Sequence, residues 1–141
     1  MEKLAVDGGP RIRTEPFPGR EPFGEEEETL LLQAVRSQNL FGKSGTFVKG
    51  FEKAFAEFYG VTYAQSSTSG TSAIHLAVGA VNPEPGDEII TAPITDPGSV
   101  MPILMQNAVP VFADVDPKSL NMTPESIEAN ITDRTRAIIL V

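Results

Sequence analysis

From Ser66 to Ala73 the chain reads Ser-Ser-Thr-Ser-Gly-Thr-Ser-Ala, a run of hydroxyl side chains broken by one glycine and leading into an alanine-rich helical pattern. The first N–H groups of a helix have no intrahelical acceptor, and with the helix dipole they make a site for an anion. Gly70 allows close approach, and the neighbouring hydroxyls add donors, so a phosphate group fits this stretch. The simpler reading is that Thr71 or Ser69 does no more than cap the helix. A strand-to-helix joint at the carboxyl end of a parallel strand is also where open α/β sheets bind ligands.

Four other places carry reactive side chains. Gly42-Lys43-Ser44 looks like the end of a Walker A loop, but the glycine required five residues earlier is Ser37, and a helical pattern precedes it where a strand is needed. Lys43 is therefore read as a solvated loop lysine. Asp96-Pro97-Gly98-Ser99 follows an apolar strand pattern and shares the rim of the sheet with Gly70, and its simplest role is an N-cap with proline at the first helical position. Asp114 and Asp116 stand close in sequence, but Asp116-Pro117 reads as a turn and neither is assigned to catalysis. His75 lies off the apolar stripe of its helix and reads as a structural or surface histidine.

Composition excludes several classes. The 141 residues contain no cysteine and one histidine, which removes thiolate chemistry and Cys- or His-rich zinc sites. The 19 acidic residues outnumber the 11 basic ones, and this acidic balance, with no basic cluster, disfavours nucleic acid as a partner. The N-terminal residues lack the apolar core of a signal peptide, and no stretch approaches the ~18 apolar residues of a spanning segment, so no membrane partner and a cytoplasmic location are expected.

The elements that would position these residues follow from pattern. Residues 1–23 hold prolines and glycine-proline turns that work against regular structure and predict an extended arm. Residues 24–60 predict two helices, near 25–37 and 47–59, joined by a glycine-containing loop and closed by Gly60. Residues 61–141 alternate short apolar runs with helical stripes, the signature of βαβ units and a parallel sheet. Strands are expected near 62–66, 87–92, 109–114 and 136–141. The helices between them carry Ala73, Leu76, Ala77 and Ala80, then Met101, Leu104, Met105 and Ala108, with a short third helix capped by Thr123 and begun by Pro124. The apolar run Ala137 to Val141 suits a central parallel strand, and because no turn or cap follows it the chain is expected to be the first part of a longer protein.

Five segments taken in order resemble one family: Gly50 to Gly60, Ser69 to Ala77, Pro85 to Ile90, Pro110 to Asp116 and Ile131 to Ile139. Together they are similar to the DegT/DnrJ/EryC1/StrS aminotransferases. The resemblance implies an α/β three-layer sandwich with a mainly parallel sheet, this chain being the N-terminal part of the large domain of the aspartate aminotransferase fold (fold type I). It implies pyridoxal 5'-phosphate as cofactor, a homodimer, and transamination of a nucleotide-linked keto sugar with glutamate as amino donor. In the family pattern Gly70, Thr71 and Ser72 hold the cofactor phosphate, in agreement with the anion site read from the residues themselves.

The Schiff-base lysine and the acid that pairs with the pyridine nitrogen are implied to lie beyond Val141, and no lysine of this chain stands in the matching context. The position after Pro93-Ile94-Thr95, at the cofactor ring in the family, is usually an aromatic and here is Asp96, which the resemblance places with Gly70, Thr71 and Ser72 among the cofactor-binding residues. That departure weakens the sugar-substrate expectation more than the cofactor one. Two alternatives stay open: a relative of the same fold that uses the cofactor for dehydration, and a non-catalytic α/β module kept for binding or regulation.

Overall fold

The computed structural model describes residues 3–141. They form two compact units, Met1–Phe51 and Glu52–Val141. The boundary falls inside a helix, whereas sequence pattern set the segment limits at 23/24 and 60/61.

In the first unit the proline-rich arm is mostly irregular, with one exception to the extended expectation: Ala5–Asp7 make a 3-10 turn. Gly8, at φ 87°, allows that turn to close, and Gly9 N–H then donates to Leu4 O at 2.8 Å. Helix α1, Glu25–Arg36, begins where four glutamates favour the positive end of the dipole. Glu27 Oε2 accepts from Gly24 N–H at 2.8 Å, and this bond above all holds the Glu27 carboxyl below its usual range. Helix α2, Thr46–Tyr59, crosses from one unit into the other and ends at Gly60, whose φ of 66° is the left-handed stop expected there.

The second unit contains α3 (Gly70–Val81), β1 (Glu88–Thr91), α4 (Met101–Met105), β2 (Val109–Phe112), α5 (Pro124–Glu128) and β3 (Thr135–Ile139). The sheet is parallel with order β2-β1-β3, so β1 is the centre, and all four of its residues are buried. Ile89 belongs to a core of Val78 from α3, Ile103 from α4 and Ala108, with Ile74, Ala137 and Ile139 packed against it. Helices thus cover the sheet because apolar residues recur at helical spacing on α3 and at alternate positions on β3.

β3 meets β1 with an irregularity. Glu88 pairs with Thr135 and Ile89 with Ala137, which leaves Arg136 as the extra residue of a bulge. Arg136 reaches the buried Asp87 through Nε to Oδ2 and through its second guanidinium nitrogen to Oδ1, both at 3.0 Å. Arg134 pairs with buried Glu88 at 2.5 Å, and the Thr132 hydroxyl donates to the other Glu88 oxygen at 2.6 Å.

Two expected elements differ. Residues 62–66 are not a strand. The N–H of Ser66 donates to the Glu52 carboxylate at 2.9 Å, and so is taken up by a side chain rather than by a β ladder. Helix α4 stops at Met105, short of Ala108, because Asn107 turns to φ 57° and Ala108 N–H closes onto Ile103 O at 3.1 Å. Among the described residues no helix is long and apolar enough to cross a membrane.

Candidate functional site: the N-terminal end of helix α3

Ser69 is the N-cap of α3. It has extended backbone geometry, and its hydroxyl accepts from Ser72 N–H at 3.1 Å. The capping role therefore belongs to Ser69 and leaves Thr71 out of it. Ser72 Oγ lies 3.1 Å from the hydroxyls of both Ser69 and Thr68, so those three side chains form one linked group.

Gly70 and Thr71 are different. Neither backbone N–H has a hydrogen-bond acceptor among the described residues, and neither does the Thr71 hydroxyl. A Cβ placed on Gly70 would meet nothing within 4 Å, so the glycine itself borders open space. The end of a 12-residue helix thus carries two N–H groups and a hydroxyl without an acceptor among the described residues, a donor set suited to phosphate oxygens.

The loop after β1 comes against this end. Asp96 caps the 3-10 turn Pro97–Ser99, its Oδ1 accepting from Gly98 N–H at 2.7 Å, as the simpler sequence reading expected. Gly98 then lies directly against the Thr71 side chain, with Asp96 Oδ1 beside it. The structure therefore brings Gly70, Thr71, Ser72 and the Asp96 loop to one rim.

On the neighbouring face of α3 an open hollow of ≈ 650 Å³ is lined by Ser66, Thr68, Ser72, His75 and Gln106, among others. His75 is half-buried, and its Nε2 lies 2.8 Å from Gln106 Nε2 in a hydrogen bond between the two side chains. This pairing supports the structural reading of His75. Sequence spacing gave no sign of it, because the partners are 31 residues apart. Lys43 is an exposed loop residue. Asp116 Oδ1 accepts from the N–H groups of Ser119 at 2.8 Å and Lys118 at 3.0 Å, which makes the expected turn and holds its carboxyl below the usual range.

The model of the DegT/DnrJ/EryC1/StrS aminotransferase family matches residues 22–141. The chain is 38% identical over 148 residues to an L-glutamine:2-deoxy-scyllo-inosose aminotransferase of Streptomyces lividus, an alignment covering 99% of this chain and 34% of that protein. Among solved structures, an aminotransferase from Psychrobacter cryohalolentis superposes with a TM-score of 0.77 at 35% identity, covering 89% of this chain and 32% of its own. A GDP-4-keto-6-deoxy-D-mannose-3-dehydratase from E. coli, solved with bound hydrated pyridoxal phosphate, gives 0.74 at 26% identity, covering 86% and 32%. The chain thus spans about a third of the length of the proteins it matches. With its parallel sheet and its match extending from the end of the arm to the last strand, the chain belongs to the DegT/DnrJ/EryC1/StrS aminotransferase family, pyridoxal-phosphate enzymes of fold type I.

Proposed function

We propose that the whole protein transaminates a keto sugar with pyridoxal 5'-phosphate, and that this chain supplies the cup for the cofactor phosphate. The observation that carries the reading is the pair of acceptor-free N–H groups at Gly70 and Thr71, with the acceptor-free Thr71 hydroxyl beside them. Gly70 N, Thr71 N and Thr71 Oγ1 bind the phosphate. Ser72 contributes through its linked hydroxyl, since its N–H is engaged by Ser69. Asp96 stands at the rim, a carboxylate beside Gly98 and the Thr71 side chain. When bound, the cofactor acts as an electron sink for bond-breaking at the substrate's amino-bearing carbon. The lysine and the pyridine-pairing acid that such chemistry uses are implied by the family resemblance and are assigned to no residue of this chain.

The acceptor implied by the family resemblance is a nucleotide-linked keto sugar with glutamate as donor. The Streptomyces relative is named for L-glutamine and a cyclitol ketone. A homodimer in the cytoplasm completes the reading. Dehydration is the second reading, favoured by the match to the E. coli dehydratase.

The test is to incubate the intact protein with pyridoxal 5'-phosphate, record the visible spectrum, reduce with borohydride and locate the added mass. A yellow protein with one modified lysine is expected, and a colourless one overturns the proposal. Assay with glutamate or glutamine and keto-sugar acceptors then separates transfer of nitrogen from loss of water.

A further inference from the structure

Gly98 has no need of glycine's backbone freedom. The glycines with positive φ are Gly8, Gly60 and Gly86, and Gly98 is not among them. Its constraint is the space around it. A Cβ there would collide with Thr71 Oγ1, and would lie 2.8 Å from Asp96 Oδ1 and 3.4 Å from Thr71 Cβ. Around Gly19, Gly50 and Gly70, by contrast, the same Cβ would meet nothing within 4 Å. The missing side chain at position 98 is the room that the Thr71 hydroxyl occupies.

Thr71 is β-branched, so its χ1 moves between discrete wells and does not yield by small increments. At the second residue of α3 its hydroxyl makes no bond to Ser67 or Thr68 carbonyls that would fix the well from within the helix. The wall that fixes it is the turn Pro97–Ser99, held in turn by the Asp96 carboxylate on Gly98 N–H.

We propose that Gly98 is a positioning residue for the phosphate cup: its bare Cα lets the Pro97–Ser99 turn lie against α3 and keeps the Thr71 hydroxyl in the rotamer that leaves it available as a donor. The inference rests on the phosphate-cup reading given above. A methyl group at position 98 drives the hydroxyl to another well and removes one donor, without touching Gly70 N–H or Thr71 N–H.

The experiment compares pyridoxal 5'-phosphate with pyridoxal, which lacks the phosphate, as ligands of the intact protein in the variants Gly98→Ala, Thr71→Ala, Thr71→Ser and Gly98→Ala/Thr71→Ala. Gly98→Ala is expected to weaken pyridoxal 5'-phosphate about tenfold, the loss of one hydrogen bond to a charged group, with pyridoxal within about twofold of wild type. In the Thr71→Ala background the same methyl should cost less than about twofold, because the atom it displaces is gone. Thr71→Ser keeps the hydroxyl and should keep the affinity.

Equal weakening of both ligands, wild-type affinity in Gly98→Ala, or a full penalty persisting in the Thr71→Ala background overturns the inference. Should Gly98→Ala fail to fold, the double variant decides: it folds if the clash with Thr71 is the cause, and its failure also overturns the inference. A wild-type protein that binds pyridoxal as tightly as pyridoxal 5'-phosphate overturns the phosphate cup itself, which is a separate result.

Discussion

The N–H of Ser66 and the hydroxyl of Ser66 both donate to one oxygen of Glu52, at 2.9 and 2.7 Å. The Gln65 amide reaches the same oxygen at 3.1 Å. A carboxylate on α2 thereby ties down the segment that enters the hydroxyl-rich run ahead of α3. Hydrogen bonds to a charged group contribute about 1.5–3 kcal/mol each where they are sheltered, and Ser66 is only partly buried, so we expect Glu52→Ala to destabilise the protein by about 1.5–3 kcal/mol in total. Denaturant midpoints measure this. Hydrogen exchange should show faster exchange at Ser66, and unchanged exchange there would refute the tether.

Thr71 offers a sharper test of the cup. Its hydroxyl has no partner within the described chain, so Thr71→Val removes a donor without orphaning another group. Because Thr71 is half-buried against Gly98, the fold should lose no more than about 1 kcal/mol of stability. Affinity for pyridoxal 5'-phosphate should fall about ten- to a hundredfold, the equivalent of one charge-assisted hydrogen bond. Equilibrium dialysis reads the result, and unchanged affinity would return Thr71 to a purely structural role.

Asp96 should oppose phosphate binding. Its Oδ1 approaches the same point on Gly98 as Thr71 Oγ1 does, so a carboxylate sits beside the expected anion site. Like charges near a protein surface repel by about 1–4 kcal/mol at ~4 Å, less at longer range and in salt. Asp96→Asn keeps an oxygen to accept from Gly98 N–H while removing the charge. We expect it to tighten binding about three- to tenfold at low ionic strength, with the gain shrinking as salt is added. Weaker binding by the asparagine variant at every salt concentration would show that the carboxylate assists the cofactor instead.

The parts of this architecture readable from sequence are those whose physics is local. Helix α3 was visible in its apolar spacing, the α2 stop in Gly60, the α5 start in Thr123-Pro124, and the Asp96 cap in an acid preceding proline. The acceptor-free donors at Gly70 and Thr71 were legible too, from hydroxyls and a glycine at the start of a helix, although the strand expected before them is absent. What could not be read depends on residues far apart in the chain. In the expected strand 62–66 the Ser66 N–H is taken by Glu52, 14 residues earlier. The bulge at Arg136 is decided by Asp87, 49 residues away. The role of Gly98 depends on Thr71, and a glycine after proline reads in sequence only as a turn.

The sheet itself makes a final prediction, about pH. Glu88 is buried at the start of β1. The Thr132 hydroxyl is the first cause holding its carboxyl below the usual range, the Arg134 guanidinium adds to it, and burial works partly against both. A carboxyl whose folded value is depressed binds its proton more weakly folded than unfolded. Its contribution to stability is therefore complete above the ordinary glutamate range and is lost as pH falls through that range toward the lower folded value. Glu88→Gln should lower the thermal midpoint at neutral pH, where wild-type Glu88 is charged and paired. It should also flatten the decline of that midpoint on acidification, because the variant has no proton to take up there. Arg134 is largely exposed, so losing its partner does not strand a buried charge and the comparison isolates the carboxylate. Thermal unfolding of both proteins at a series of pH values from neutral to acid tests this directly: parallel curves would mean that Glu88 does not couple folding to pH, and convergence toward low pH is the expected result.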